Sequence, residues 1–134
     1  MLLWERWGLA FDDRMPIYHQ IILQFRRAFV RREIALGERI PSIREMAALL
    51  RVNTNTMQRV YQEMEREGLI NSKRGVGYFF TEDTKMTEKT YRNLASDSLR
   101  RFVDEMRALG CADNDIIDEL TTFMRGDESY EANA

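Results

Sequence analysis

The stretch RIPSIREMAALLRVNTNTMQRVYQEMEREGLINSKRGVGYFF, residues 39–80, decides the fold of this chain. It opens with the signs of a helix start. Pro41 precedes a capping box that runs from Ser42 to Glu45, in which the two side chains bond each other's backbone amides. Apolar residues then recur at helical spacing as far as Leu50. The pattern predicts a short amphipathic helix.

A second helix is expected directly after a tight turn at Val52. Asn53 is a favourable N-cap residue, and Gly68 stands where a glycine in the left-handed conformation commonly ends a helix. Between them the apolar residues share one face: Met57, Val60, Tyr61 and Met64. Two short helices joined by so tight a turn predict a helix-turn-helix.

A β-hairpin is expected after the second helix. Leu69 and Ile70 begin one strand, residues 74–77 (RGVG) supply a turn, and residues 78–80 (YFF) return as the second strand. The aromatic residues of the returning strand are expected to fill the core. The hairpin acts as a wing, so the predicted fold class is mostly α with a small β-wing.

The polar face of the second helix carries the functional signal. A recognition helix presents its N-terminal residues to base edges in the major groove. Asn and Gln can bond adenine in two places, Arg can do so with guanine, and Thr can touch an edge or a methyl group. The alternative is that these polar residues only cap a solvated helix start. The capping-box helix before them and the wing after them favour readout of duplex DNA. The candidates are Asn53, Thr54, Asn55, Thr56, Gln58 and Arg59.

Four spaced motifs resemble the DNA-binding domain of GntR-family regulators. They are P-S-x-R-E-M-A, V-N-x-N-T, Y-Q-E-M-E-x-E-G-L-I and K-R-G-x-G-Y-F, and the resemblance spans about Pro16 to Phe80. It implies that Arg44 reaches DNA from the first helix of the pair. It also implies that Asn53, Thr54, Asn55, Thr56 and Gln58 contact bases or phosphates, and that Arg74 and Gly75 form a wing tip in the neighbouring minor groove.

The resemblance has one departure, which concerns the recognition helix. Many family members have Arg where Thr54 and Gln58 stand here, and the V-N-x-N-T variant is similar to the YtrA-type branch. The absence of these arginines leaves Arg59 as a candidate for one base contact.

Charge is distributed unevenly along the chain. Residues 1–80 carry 13 Lys/Arg and 9 Asp/Glu, a net +4, whereas residues 81–134 carry 7 and 13, a net −6. The basic part coincides with the predicted DNA-binding domain, as contact with phosphate requires. No apolar run of ~20 residues is present, so no transmembrane helix is expected. The single cysteine, Cys111, excludes an intramolecular disulfide framework and suits the reducing cytoplasm, which is the predicted location. One cysteine and one histidine, His19, are too few ligands for a structural zinc site.

The C-terminal part is expected to be helical. Residues 81–87 are assigned as a linker, residues 88–126 as a helical hairpin whose second helix is capped by Asp113, and residues 127–134 as a frayed tail. The hairpin carries more apolar residues than it can bury alone. A homodimer would cover them by completing a helical bundle, and this is favoured over folding back onto the winged domain. The predicted dimerisation residues are Leu94, Leu99, Phe102, Val103, Met106, Ile116, Ile117, Leu120 and Phe123. The resemblance agrees, because YtrA-type members carry a short two-helix C-terminal part used for dimerisation.

The sequence therefore predicts a DNA-binding transcriptional regulator, a homodimeric repressor that acts at a partly palindromic operator of a nearby operon. Motifs of enzymes are missing, including the P-loop and the nucleophile elbow, and no cofactor is expected. The tail is too short to enclose an effector pocket of ~300 Å³ within one subunit, so no dedicated effector domain is expected. The alternative is a winged-helix protein-interaction module, which would carry apolar or acidic residues on the recognition face. An RNA-binding role would require an exposed aromatic platform, which the chain lacks.

Overall fold

A computed structural model of the protein describes residues 2–8 and 10–126. Within these ranges lie five α-helices, one short 3₁₀-helix and one three-stranded antiparallel sheet. The predicted fold class, a winged helix-turn-helix followed by a helical hairpin, is confirmed. The chain divides into two compact units, Met1–Tyr91 and Arg92–Ala134, here called the winged unit and the tail unit. The predicted frayed tail at residues 127–134 lies outside the described residues.

The N-terminal segment is tied to the first long helix, α1 (Ile17–Val30), by aromatic packing. A 3₁₀-helix at Leu3–Arg6, which the sequence pattern does not predict, places Trp4 in the core. The rings of Trp4 and Trp7 lie 5.6 and 4.9 Å from the ring of Phe25, measured between centroids. These contacts explain why a segment with no helical periodicity is nevertheless ordered.

The helix-turn-helix consists of α2 (Ile43–Leu50) and α3 (Thr54–Arg66). The predicted capping box is present, since the Glu45 amide donates to Ser42 Oγ at 3.1 Å and the Ser42 amide donates to the Glu45 carboxylate at 3.3 Å. Arg51 ends α2 in the left-handed conformation, with φ of 56°, which turns the chain sharply towards α3. Both helices contribute to one core with α1 through Met46, Ala47, Leu50, Met57, Val60, Tyr61 and Met64.

The wing is part of a sheet with the order β1-β3-β2, formed by Arg39–Ile40, Gly77–Phe80 and Ile70–Lys73. Strand β1 has only two residues, too few for a sequence pattern to reveal. The prediction that all three aromatic residues of β3 fill the core is wrong for one of them. Phe80 is fully buried and Tyr78 packs at the edge of the core, but Phe79 lies outside the core cluster. Alternation along a strand sends Phe79 to the opposite face, where Lys73 Nζ lies 4.5 Å from its ring centroid.

The predicted linker at residues 81–87 is too long. Helix α4 begins at Lys85 and runs to Ala108. Asp83 favours the early start, because its carboxylate accepts a hydrogen bond at 2.9 Å from the amide of Lys85, which has no partner within the helix. Met86 packs against the core and Thr90 is buried. The winged unit accordingly extends to Tyr91 instead of ending at Phe80.

The tail unit contains the rest of α4 and helix α5 (Asp113–Met124). The prediction that Asp113 caps α5 is wrong, since Ala112 occupies the cap position. The Asp113 carboxylate instead accepts two hydrogen bonds from the Arg107 guanidinium, both at 2.9 Å. This ion pair links the two helices across their connecting turn and lowers the pKa of Asp113. In the part of the chain that the structure describes, no helix is both long and apolar enough to cross a membrane.

Candidate nucleic-acid interface

The position of α3 is fixed from its buried side. Met57, Val60 and Met64 are fully buried, and Tyr61 is 1 % exposed. The Tyr61 hydroxyl donates to the Pro41 carbonyl oxygen at 2.6 Å, which joins α3 to the segment that enters α2. Burial raises the pKa of Tyr61 well above its usual range, so the phenol keeps its proton and remains a donor. The helix therefore presents a defined polar face to solvent.

That polar face begins with the predicted readout residues. Thr54, Asn55, Gln58 and Arg59 are exposed, and we call these four side chains the recognition surface. Thr56 is half-buried and lies at its margin. The surface has no acidic member and no large aliphatic or aromatic one. It offers amide, hydroxyl and guanidinium groups, the functional groups that contact base edges and phosphates.

Asn53 has the structural role that its place before α3 predicts. Its side-chain oxygen accepts a hydrogen bond from the Asn55 amide at 2.7 Å, so it is the N-cap of α3. This bond uses one of the two lone pairs of the amide oxygen and leaves the N–H donors of Asn53 free. Asn53 therefore combines a capping role with an exposed amide.

The acidic residues of α3 are confined to its C-terminal half and its end. Glu63 pairs with Arg66 at 2.8 Å, and the Glu65 carboxylate accepts from the Ser72 hydroxyl at 2.9 Å. Glu67, the C-cap residue, pairs with Arg26 at 2.7 Å. The helix is therefore polarised along its length. Its N-terminal half is the end that can approach the polyanionic duplex, in the orientation that recognition helices adopt.

Arg59 is held by a neighbouring aromatic ring. Its guanidinium carbon lies 3.7 Å from the ring centroid of Tyr18, a half-buried residue in the first turn of α1. The sequence does not predict this contact. Helical spacing places Tyr18 on the same stripe of α1 as the buried residues Ile21, Ile22 and Phe25, so the pattern gives no signal that its ring meets Arg59.

The wing tip lies on an exposed turn that the sequence located correctly. Arg74 and Gly75 are exposed between β2 and β3. The Val76 amide donates to the Lys73 carbonyl oxygen at 2.9 Å, and Gly75 has φ of 77° at the third position of this turn, as a type II turn requires. Arg44, the remaining predicted DNA contact, is exposed in the first turn of α2.

Arg39 makes contacts with the wing that the sequence does not predict. The Arg39 guanidinium donates to the Val76 carbonyl oxygen at 2.8 Å and lies against Gly77. Gly77 has φ of 138°, a conformation that an L side chain rarely adopts. Arg39 therefore helps to fix the tip, although the two-residue strand that carries it gives no clear sequence signal.

The predicted dimerisation residues differ in exposure within the single chain. Leu99, Ile117 and Phe123 are 59 %, 68 % and 63 % exposed, and Leu120 is more than one-third exposed. Ile116, by contrast, is 6 % exposed, so its side chain is already covered within its own chain. The remaining four are half-buried along α4: Leu94, Phe102, Val103 and Met106. An apolar groove of about 200 Å³ separates the two helices and is lined by Phe102, Met106, Glu119, Leu120 and Phe123.

A metal site and a reactive cysteine both have little support in the described ranges. No group of three or more His, Cys, Asp or Glu residues there is placed to hold a metal ion. The pKa of the Cys111 thiol is raised, first by desolvation and then by the carboxylates of Asp115 and Glu119. A raised pKa favours the thiol over the reactive thiolate.

Comparison with known proteins places this geometry in a family. Residues 17–80 match the model described as bacterial regulatory proteins, gntR family. The chain is 38 % identical to the uncharacterized HTH-type transcriptional regulator YhcF of Bacillus subtilis over 87 % of this chain and 96 % of that protein. It is 40 % identical to the HTH-type transcriptional repressor YtrA of the same organism over 54 % of this chain and 55 % of that protein. A solved GntR family transcriptional regulator from Listeria monocytogenes superposes with a TM-score of 0.77 at 35 % identity, covering 84 % of this chain and 98 % of that one. The chain therefore belongs to the GntR family and is a DNA-binding transcriptional regulator.

Proposed function

We propose that the protein is a homodimeric repressor that binds a partly palindromic operator through two copies of α3. The observation that carries the proposal is the recognition surface itself. Four exposed polar or basic side chains lie together on the N-terminal half of α3, with the acidic residues kept to its C-terminal half and end. Asn55 and Gln58 are the base-reading candidates, because each has an amide that can bond adenine at two atoms.

The exposed apolar residues of the tail unit support the proposed dimer. The side chains of Leu99, Ile117 and Phe123 would each leave more than half of their surface in water in a monomer. Groups of large exposed apolar residues mark interaction surfaces in soluble proteins. A second copy is the partner we propose, because a twofold axis would place two recognition helices on successive turns of the duplex.

Repression is the proposed outcome of binding. A dimer seated on an operator occludes the DNA that RNA polymerase must enter, and this requires no activating contact. The relative YtrA is named a transcriptional repressor, and this name supports repression over activation. The proposed place of action is the cytoplasm, and the proposed target is an operon close to the protein's own gene.

The proposal is tested with the full chain and a fluorescent duplex taken from the promoter of its own transcription unit. Wild-type protein should prefer this duplex to a scrambled duplex of equal length. The double variant Asn55→Ala/Gln58→Ala should lose the preference while it keeps salt-sensitive binding to both duplexes. The matched control is Asn114→Ala, which removes an exposed amide from α5.

Two results would contradict the proposal. Equal binding of wild-type protein to both duplexes would argue against this promoter as the target. An intact preference in the double variant would show that Asn55 and Gln58 do not read the bases. Failure to bind duplex DNA at any salt concentration would instead favour a protein-interaction module.

A further inference from the structure

Arg59 differs from the other members of the recognition surface in how it is held. Its guanidinium carbon lies 3.7 Å from the Tyr18 ring centroid, so it is stacked on the ring face. Tyr18 packs against the core, and its ring lies nearly parallel to that of His19, with 11° between the planes and 5.3 Å between the centroids. The arginine therefore rests on a ring that the fold itself holds in place.

Stacking determines which part of the Arg59 guanidinium remains available to bind DNA. The guanidinium is planar and carries its five N–H donors in that plane. An aromatic ring that covers one face leaves the donors at the edge available for an acceptor. The same stacking reduces the side chain's freedom, so less entropy is lost when the donors are engaged.

The location of the stack favours a backbone contact over a base contact. Tyr18 belongs to α1, outside the helix-turn-helix pair, and Arg59 leans from α3 towards it. A recognition helix reads bases along its outermost line, whereas the elements beside it meet the sugar-phosphate rims of the groove. Asn55 and Gln58, whose side chains stack on no ring in the described ranges, remain directed outward.

We propose that Tyr18 is a positioning residue that holds Arg59 for a phosphate of the operator backbone. Arg59 then supplies affinity and fixes the register of α3, and sequence readout is left to its neighbours. This inference rests on the proposed DNA-binding function and adds the role of one pair of residues to it.

The test combines salt dependence, sequence preference and a double-mutant cycle on the full-length protein. In Arg59→Ala, the slope of log K against log salt concentration should decrease by about 0.9 for each phosphate that the variant no longer neutralises, or about 2 for a dimer. Affinity should fall for every duplex by the same factor, with the ranking of operator variants unchanged.

The cycle isolates Tyr18. Tyr18→Phe keeps the ring and should bind like wild type, whereas Tyr18→Leu should weaken binding several-fold. In the Arg59→Ala background, Tyr18→Leu should have no further effect, because the group that it positions is gone. Thermal unfolding of each variant identifies any that fail to fold. The salt dependence of Arg59→Ala tests the phosphate contact even if the Tyr18 variants fail to fold.

Three outcomes would overturn the inference. Arg59→Ala could change the preferred base at one operator position and leave the salt slope intact, in which case Arg59 reads a base. Tyr18→Leu could weaken binding equally in both backgrounds, in which case Tyr18 is only structural. Tyr18→Phe could bind as poorly as Tyr18→Leu, in which case the ring is not what matters. Absence of duplex binding by wild type itself would be a failure of the proposed function, and the two failures are thereby distinguished.

Discussion

Ile117→Ala tests the proposed dimer surface most sharply among single substitutions. Ile117 is 68 % exposed in the single chain, so it contributes little to the core of its own hairpin. Complete burial of an isoleucine side chain is worth about 1.5–3 kcal/mol, so covering the exposed two-thirds is worth about 1–2 kcal/mol. A twofold interface contains two copies of Ile117. The substitution should therefore cost about 2–4 kcal/mol of dimerisation free energy, which makes the dimer roughly 30- to 1000-fold weaker.

Sedimentation equilibrium over a range of protein concentrations measures this directly. The matched control is Asp118→Ala, which changes the next residue of α5 but removes an exposed charge instead of an apolar side chain. Circular dichroism should show unchanged helix content in both variants. If Ile117→Ala and Asp118→Ala dimerise as tightly as wild type, this face of α5 is not the interface and the reasoning from exposure is refuted.

Further predictions concern the recognition surface, the wing and the core. Asn55→Ala should cost about 1–3 kcal/mol of operator binding and relax the preference at one base, measured by competition with operator variants; an unchanged preference would exclude Asn55 from readout. Gly77→Ala places an L side chain at φ of 138°, at a cost of about 1–3 kcal/mol, so calorimetry should show a lower melting temperature; Gly8→Ala, with open space around it, should melt like wild type. Tyr61→Phe removes the 2.6 Å bond to Pro41 and should lower stability by about 0.5–1.5 kcal/mol in urea unfolding; unchanged stability would make that bond incidental.

Local rules were sufficient for the winged helix-turn-helix. Ser42 with Glu45, Asn53 and Gly75 act through their own side chains or backbone within a few residues, and such features can be read directly from sequence. The features that the sequence pattern missed depend on partners distant in the chain. Arg39 is bound to Val76 across the sheet, and the 3₁₀-helix of Trp4 is stabilised by packing on α1.

The boundary errors have a common physical cause. The composition of residues 81–87 predicts a linker, but the Asp83 carboxylate binds the amide of Lys85, where a helix begins. Aspartate favours cap positions, but Arg107 on the preceding helix binds the Asp113 carboxylate. In both cases a specific hydrogen bond decides where the helix begins or what the carboxylate binds, and composition does not reveal that bond.

The candidate site shows the same division between local and distant information. The residues of α3 that belong to the site were predictable, because the exposed positions of a helix follow from helical spacing once its buried face is known. The stacking of Arg59 on Tyr18 was not, since it depends on the packing of α1 beside α3. Nor could spacing separate Ile116, which is buried, from Ile117, which is exposed, because the rotation of α5 about its axis is set by the packing of the tail unit.

Selection of bound sequences from random duplex DNA is the most direct test of the central claim that the exposed start of α3 reads a specific operator as part of a dimer. The wild-type full-length chain should enrich a partly palindromic sequence whose half-sites are separated by about one helical turn or a multiple of it. The Asn55→Ala/Gln58→Ala variant should enrich a degenerate version of the same sequence. Recovery of no preferred sequence by the wild-type chain would contradict the account, and enrichment of a single unrepeated site would contradict its twofold arrangement.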